Sequence, residues 1–324
     1  MKKKILEILN ARGGYVSGQE LCELLGVSRT AIWKNIKQLK EAGYEIEAVQ
    51  NKGYHIVSAP DVLNQEVIES ALGSLPYKVC YKSTVDSTNT VAKQLGENQS
   101  PSKTLVAAEE QTMGKGRRGR IWSSPYGKDI YMTLMLRADI MPENASMLTL
   151  VMGLSVAQAI QKTTGLDTAI KWPNDVVVNG KKVCGILTEM SAQMDYINYL
   201  VIGVGINVNG ESFPEELRDK ATSLFIETKK EWKRAELIAE CMRRFEENYN
   251  QFLETQDLSL LQEAYGKYLV NKDRPVRVLE PRNEYNGIAR GINTQGELLV
   301  EREDGSVQQV YAGEVSVRGV YGYV

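Results

Sequence analysis

The chain has 324 residues, 43% of them hydrophobic and 25% charged, with a formal net charge of −2 and a single histidine. That balance describes a folded chain long enough for two or three domains and excludes a disordered or fibrous one. His55 stands alone, which excludes HExxH zinc sites, His/Cys deaminase sites and any Ser-His or Cys-His nucleophile not built on His55; Cys22, Cys80, Cys184 and Cys241 lie far apart with no CxxC pair, which fits reduced thiols better than a disulfide framework.

The longest apolar run, Met147 to Ile160, is interrupted by Thr149, Ser155 and Gln158 and is shorter than the ~20 residues of a membrane helix. The opening MKKKILEILN imitates a signal peptide, but Glu7 breaks its apolar part and no small-residue cleavage site follows, so a cytoplasmic chain with no membrane partner is expected. Charge is unevenly spread. Residues 1–60 hold 9 Lys/Arg against 6 Asp/Glu, and the remainder holds 30 against 35.

Along the first stretch, Leu21, Leu24 and Leu25 form a helical apolar stripe that Gly26 ends, and Ile32, Ile36 and Leu39 resume the period after Ser28, a natural N-cap. This spacing predicts a helix-turn-helix whose second helix begins with or presents Arg29, Thr30, Trp33, Lys34 and Lys37. EAGYEIEAVQNKGYHI alternates as a hairpin with Asn51-Lys52-Gly53 at its tip, like the wing of a winged helix. Ser28, Arg29, Thr30, Trp33, Lys34, Lys37 and Lys52 are therefore the candidate DNA contacts; the alternative is a small interaction domain with a solvated cationic face. His55 is expected to be structural or solvent-facing.

Beyond Pro60, residues 61–75 read as a short helix, and YKVCYKSTVDSTNTVAKQL as a strand leading into a helix capped by Asp86, Ser87 or Thr88. KTLVAAEEQ and DIYMTLMLR are strands, and Met147 to Gly165 is a helix with its stop. AIKWPNDVVV and KKVCGILTEM are two more strands joined at Asn179-Gly180, a strong hairpin signal, and YLVIGVGINV is a further one. Hairpin-paired strands with helices interspersed predict an α+β domain on a mixed or mainly antiparallel sheet.

Between the second and third of these strands lies EQTMGKGRRGRIWSS, with Lys115, Arg117, Arg118 and Arg120 set among glycines. It formally matches GxGxxG, but Pro125 and Gly127 forbid the helix that a dinucleotide site needs, and no GxxxxGK[ST] exists in the chain. A glycine-rich loop dense in positive charge suits an anion clamp, self-repelling when empty and ordered over a polyanion. An exposed basic loop touching nucleic acid is the alternative. Further on, Thr228 and Glu231 read as a capping box for a helix burying Leu237, Cys241, Phe245, Tyr249 and Phe252. A second helix runs to about Leu269, and after Asp273 short strands broken by Gly287, Gly296 and Gly305 suggest a small barrel.

DSTN (Asp86 to Asn89), QTMGKGRRGR (Gln111 to Arg120), KWPND (Lys171 to Asp175), GILTE (Gly185 to Glu189) and GVGIN (Gly203 to Asn207), in that order behind a winged helix, closely resemble the biotin protein ligase family in its bifunctional ligase and repressor form. The resemblance covers nearly the whole chain. It implies a winged helix-turn-helix over residues 1–60, a catalytic domain over 61–270 and an SH3-like domain over 271–324. It also implies an ATP- and Mg²⁺-dependent reaction in which biotin becomes biotinyl-5′-AMP and then passes to a lysine of a biotin carboxyl carrier protein. The metal is expected to arrive with ATP, with no protein metal site. The adenylate is expected to act as corepressor, promoting a homodimer that binds operator DNA. A biotin sensor without ligase activity and a lipoate-type ligase are the alternatives.

The resemblance implies that Ser87, Thr88 and Asn89 bind biotin's polar ring, although helix capping alone would also place such residues there. Gln111, Gly114, Gly116 and Arg117 match the family loop; Lys115 stands where the family's GRGR has arginine, keeping the charge without the bidentate geometry. Trp122 is implied over adenine. Lys171, with Arg117 and Lys115, is implied to offset charge between the biotin carboxylate and the α-phosphate. Gly185, Gly203 and Gly205 are implied to let ligand approach strand backbone, Asn207 to face nucleotide or metal, and Arg318 of GEVSVR to reach over the site.

Overall fold

The computed structural model describes residues 1–41, 44–58, 61–279, 284–311, 316–319 and 324. The chain divides into two units, Met1–Val62 and Leu63–Val324.

In the first unit, helices α1 (Lys2–Arg12), α2 (Gly18–Leu25) and α3 (Arg29–Glu41) precede a hairpin of β1 (Glu45–Val49) and β2 (Gly53–Ser58). Ile5, Leu9, Val16, Leu21, Ile32, Ile36, Leu39 and Ile46 form its core. Ser17 caps α2, its hydroxyl accepting from Glu20 N at 3.0 Å, and Ser28 accepts from Ala31 N at 3.3 Å as α3 begins. Gly26 (φ 65°) makes the left-handed turn between them. Leu24, expected in the apolar stripe, is instead 57% exposed, because Leu21 already fills that turn of the helix. α1 has no counterpart in the sequence reading; its lysines dilute the apolar period. The wing tip turns at Asn51 (φ 65°) and Gly53 (φ 108°), where a Cβ would lie 2.1 Å from Val16 O.

The second unit is built on a seven-stranded sheet in the order β3-β4-β5-β9-β8-β7-β6. These strands are β3 (Lys78–Val85), β4 (Thr104–Gln111), β5 (Ile130–Leu136), β6 (Thr168–Lys171), β7 (Asp175–Val178), β8 (Lys181–Ala192) and β9 (Ile197–Ile206). Only the β3–β4 pair is parallel, so the sheet is mixed and mainly antiparallel. Helices α4 (Gln65–Leu72), α6 (Met147–Thr164) and α8 (Arg234–Thr255) pack in the main core, whereas α5 (Thr88–Glu97) packs on β4, β5 and β9 around Ala92, Val106, Met135, Tyr199 and Val201. Leu237, Cys241, Phe245, Tyr249 and Phe252 are buried along α8 as their period requires.

Two local readings need correction. AIKWPNDVVV is a hairpin of β6 and β7 turning at Trp172-Pro173-Asn174, since Pro173 cannot donate to a ladder. No helix starts at the Thr228/Glu231 box: α8 begins at Arg234, while Thr228 ends the short α7 (Leu224–Thr228), whose cap is Ser223, accepting from Ile226 N at 3.1 Å.

After α9 (Gln262–Tyr268) come β10 (Pro275–Leu279), β11 (Tyr285–Ile292), β12 (Leu298–Glu301), β13 (Val307–Val310) and β14 (Ser316–Gly319), an antiparallel sheet in the order β13-β12-β11-β10-β14. Among the described residues its outer strands do not pair with each other. Gly287 lies within β11 instead of breaking it, because a Cβ there would meet Val300 Cγ1 at 2.5 Å. Val276, Val278, Ala289, Leu298 and Val300 join the core of the larger sheet. Residues 313–315 and the Arg318 side chain lie outside the described residues.

Candidate active site and DNA-binding face

Glycines 185, 203 and 205 leave a bare strip of backbone on β8 and β9, where Gly185 faces Gly205 and Leu187 faces Gly203 in register. Each gap is filled from above. A Cβ on Gly203 would lie 2.2 Å from Asn89 Oδ1, and one on Gly205 would lie 2.5 Å from Trp122 Cε2. The strip thus admits the N-terminal turn of α5 from one side and the indole of Trp122 from the other.

Ser87, Thr88 and Asn89 are all buried at that helix start. Ser87 has extended N-cap backbone, yet its side chain makes no cap bond, so the hydroxyl is not committed to the helix. Thr88 donates through both N (2.8 Å) and Oγ1 (3.0 Å) to Gln111 Oε1, and Gln111 Nε2 donates to Ser124 Oγ at 2.9 Å. Ser87, Thr88, Asn89 and Gln111 wall a narrow inner chamber of about 50 Å³ that also touches Lys115, Gly116, Arg117, Asn174, Lys182 and Ile186.

The glycine-rich basic loop closes on itself. Gly116 N donates to Arg120 O at 2.8 Å, Lys115 bridges Ile121, and Arg118 (φ 56°) and Gly119 (φ 71°) turn the chain. Gly114 lines neither chamber; a side chain there would strike Trp122 O at 2.3 Å. Arg117 Nη1 donates to Asn174 Oδ1 at 3.0 Å, tying the loop to the β6–β7 turn. Burial lowers the Arg117 pKa from its ordinary value while Asp175 opposes this, and the guanidinium remains charged.

An outer chamber of about 1060 Å³ adjoins the first and shares Gly116, Arg117, Trp122, Asn174 and Lys182 with it. Its own lining includes Lys171, Asp175, Asn207, Asp129 and Phe213. At the shared wall, Lys182 Nζ lies 2.6 Å from Asp175 Oδ1 and 5.3 Å from the Trp122 ring centroid. The indole N–H of Trp122 is buried without a hydrogen-bond partner. Asn207 is buried and donates to Thr222 O at 3.0 Å.

In the first unit, Ser28 just before α3 and Arg29, Thr30, Trp33, Lys34 and Lys37 on it are all exposed, as is Lys52 at the wing tip. Arg29 donates to Gln19 at 2.9 Å, Lys37 lies 5.7 Å from the Trp33 ring, and Lys52 lies 5.7 Å from that of Tyr15. The His55 ring packs against that of Tyr15 at 5.3 Å between centroids, tilted by 44°, with Nδ1 buried.

An HTH domain description matches residues 2–55, the biotin/lipoate A/B protein ligase family matches 81–207, and the biotin protein ligase C-terminal domain matches 273–318. The bifunctional ligase/repressor BirA of Bacillus subtilis (strain 168) is 36% identical over 322 residues, covering 98% of each chain. That of Escherichia coli (strain K12) is 33% identical over 317 residues, covering 97% of this chain and 96% of its own. This chain belongs to the bifunctional ligase/repressor family of biotin protein ligases. A biotin protein ligase from Aquifex aeolicus solved with biotin and ATP is 32% identical, with a TM-score of 0.66, covering 75% of this chain and 99% of that one. One from Leishmania major solved with biotinyl-5-AMP is 26% identical, with a TM-score of 0.51, covering 73% of this chain and all 100% of that one.

Within this ligase/repressor chain, Ser87, Thr88, Asn89, Gln111, Lys115, Gly116, Arg117, Trp122, Gly185 and Gly205 come together at the inner chamber. Lys171 and Asn207 line only the outer one. Asn174, Asp175 and Lys182 were not singled out from sequence. Asn174 and Asp175 sit inside KWPND, and Lys182 follows the Asn179-Gly180 turn, where paired lysines read as solvated hairpin residues. The overlooked signal is alternation: of two successive strand residues, one must face the sheet side that carries the glycine strip.

Proposed function

We propose that this chain joins biotin to ATP at the wall shared by the two chambers, forming biotinyl-5′-AMP, and then transfers biotin to a lysine of the biotin carboxyl carrier protein of acetyl-CoA carboxylase. The carrying observation is that wall: Lys182 and Arg117 are cationic groups touching both chambers. Biotin's ring takes the inner chamber against Ser87, Thr88 and Gln111. The nucleotide takes the outer chamber, with Lys171 and Asn207 on its side.

The first step brings a carboxylate oxygen onto the α-phosphorus, forming the mixed anhydride as the bond to pyrophosphate breaks. Two anions must meet, so positive charge fixed at the meeting point lowers the barrier. Asp175 holds Lys182 Nζ at that point, and Asn174 holds Arg117 there. Lys115 adds charge from the loop. In the second step the carrier's amine attacks the biotinyl carbonyl carbon and AMP leaves.

Trp122 covers the glycine strip, so admission of biotin requires the indole to turn towards the outer chamber, where it lies beside adenine and its N–H gains an acceptor. The same cations repel one another until the ligand's charge arrives, which couples the loop's order to occupancy. Among the described residues no group of three His, Cys, Asp or Glu side chains forms a metal cage. Mg²⁺ is taken to arrive with ATP, held by its phosphates, and no step here is assigned to it.

Residues 1–60 serve as the DNA-binding domain, 61–270 as the catalytic domain and 271–324 as an SH3-like cap, Arg318 reaching the incoming carrier. The protein works in the cytoplasm. With the adenylate bound it dimerises, setting two recognition helices on an operator and repressing biotin genes. Incorporation of labelled biotin into a carrier domain by purified protein, with lipoate offered in parallel, tests the enzymatic reading. Sedimentation with and without biotin plus ATP tests the dimer; unchanged association removes the corepressor role.

A further inference from the structure

Asn89 lies at the chamber wall, and its amide makes three hydrogen bonds within the protein. Nδ2 donates to Glu189 Oε2 at 2.8 Å and to Leu187 O at 3.3 Å, while Thr133 Oγ1 stands 2.7 Å from Oδ1. Both Nδ2 protons are thus spent within the protein, so the Asn89 amide offers a ligand at most an acceptor through Oδ1. Glu189 is half-buried and itself fixed by Lys93 Nζ at 2.9 Å. Thr133 Oγ1 also stands 2.8 Å from Thr88 Oγ1.

We propose that Glu189, held by Lys93, is a positioning residue that sets the donor and acceptor polarity of the inner chamber's wall through the Asn89 amide. An ionised carboxylate only accepts, and together with the longer bond to the Leu187 carbonyl it holds Asn89 with nitrogen towards Glu189 and oxygen towards Thr133. Thr133 then spends its one proton on Asn89. Thr88 must direct its own proton inward, to Thr133 or Gln111, and both Thr88 lone pairs remain for the chamber. A flipped amide would send the Thr133 proton to Thr88 and occupy one of them. The wall is thus kept an acceptor, which suits a ligand ring that offers N–H donors, as the ureido ring of biotin does. The inference rests on the biotin reading above.

The carboxyl of Glu189 is pushed up by burial but more strongly held down by Lys93 and Asn89, so it stays ionised at neutral pH. The other ionisable groups facing it are Lys115 of the basic loop and Tyr199 of β9.

The test is steady-state ATP–pyrophosphate exchange by the full-length protein, reading KM for biotin and for ATP separately. Asn89→Asp sets a second carboxylate against Glu189, and the two can coexist only by sharing a proton. At about pH 8 repulsion between the two ionised carboxylates should push the introduced one off Thr133, whose proton then turns to Thr88, and the KM for biotin should rise roughly tenfold or more while that for ATP stays within about threefold. Lowering the pH towards about 6 should bring it back, because the pair takes up its proton. Adding Glu189→Gln to that variant supplies an amide that donates to the introduced carboxylate, which still accepts from Thr133. The double variant should recover a KM for biotin within about threefold of wild type and lose the pH dependence. A double variant no better than Asn89→Asp, with an unchanged melting temperature, overturns the proposal. If Asn89→Asp does not fold, Glu189→Leu takes its place, and an unchanged KM for biotin overturns it. Absence of any biotin-dependent exchange in the wild type would instead defeat the functional reading.

Discussion

Lys171 and Lys182 carry the same charge but stand in different places, and the proposed placement of the two substrates gives them different roles. Lys182 touches both chambers beside Asp175, whereas Lys171 is buried against the outer one alone. A cation at the junction acts on charge that develops only as the two substrates react, and a cation in one chamber mainly binds. Gly205 gives a second prediction at this scale. A methyl group there would lie 2.5 Å from Trp122 Cε2 and intrude on the strip proposed to receive the ligand. Gly205→Ala should raise the KM for biotin roughly tenfold or more, readable by exchange kinetics with ATP saturating. The sequence made the glycines, Arg117 and the DSTN residues legible because each sits in a dense motif. Lys182 stayed hidden because its partners, Asp175 and Trp122, approach it only through strand pairing.

Among elements, the helices and hairpins with strong local signals were the readable ones: Gly165 ends α6 with φ 76°, and Asn179-Gly180 turns with φ 49° and 76°. Short elements were not, since β6 and β7 blend into one apolar run and α7 hides before a longer helix. What no local pattern reveals is the ion pair that ties these elements together. Arg234, 1% exposed at the start of α8, donates to both oxygens of Glu109 on β4 at 2.6 and 3.1 Å, and Glu109 Oε1 also accepts from Leu63 N. Arg234→Leu should cost about 3–5 kcal/mol, because it leaves the Glu109 carboxylate buried without its cation. Lys128→Ala, which removes an exposed pair with Glu211, should cost less than about 1 kcal/mol. Urea denaturation of the two variants compares them directly, and equal losses would contradict the assignment of the buried pair.

At the scale of the molecule, two units divide the labour. The first carries its own core and an exposed cationic face on α3; the second carries the chambers. Charge reversal of Arg29 and Lys34 together should abolish operator binding in a salt-dependent binding assay and leave pyrophosphate exchange unchanged. Intact operator affinity in that variant would move the DNA contacts elsewhere. The claim that Lys182 acts where the two chambers meet is decided by biotin-dependent ATP–pyrophosphate exchange in wild type, Lys182→Ala and Lys171→Ala. Wild type should exchange, and Lys182→Ala should lose ~10²–10³ in turnover at saturating biotin and ATP. Lys171→Ala should act mainly on the KM for ATP. Near-normal turnover in Lys182→Ala would contradict the claim.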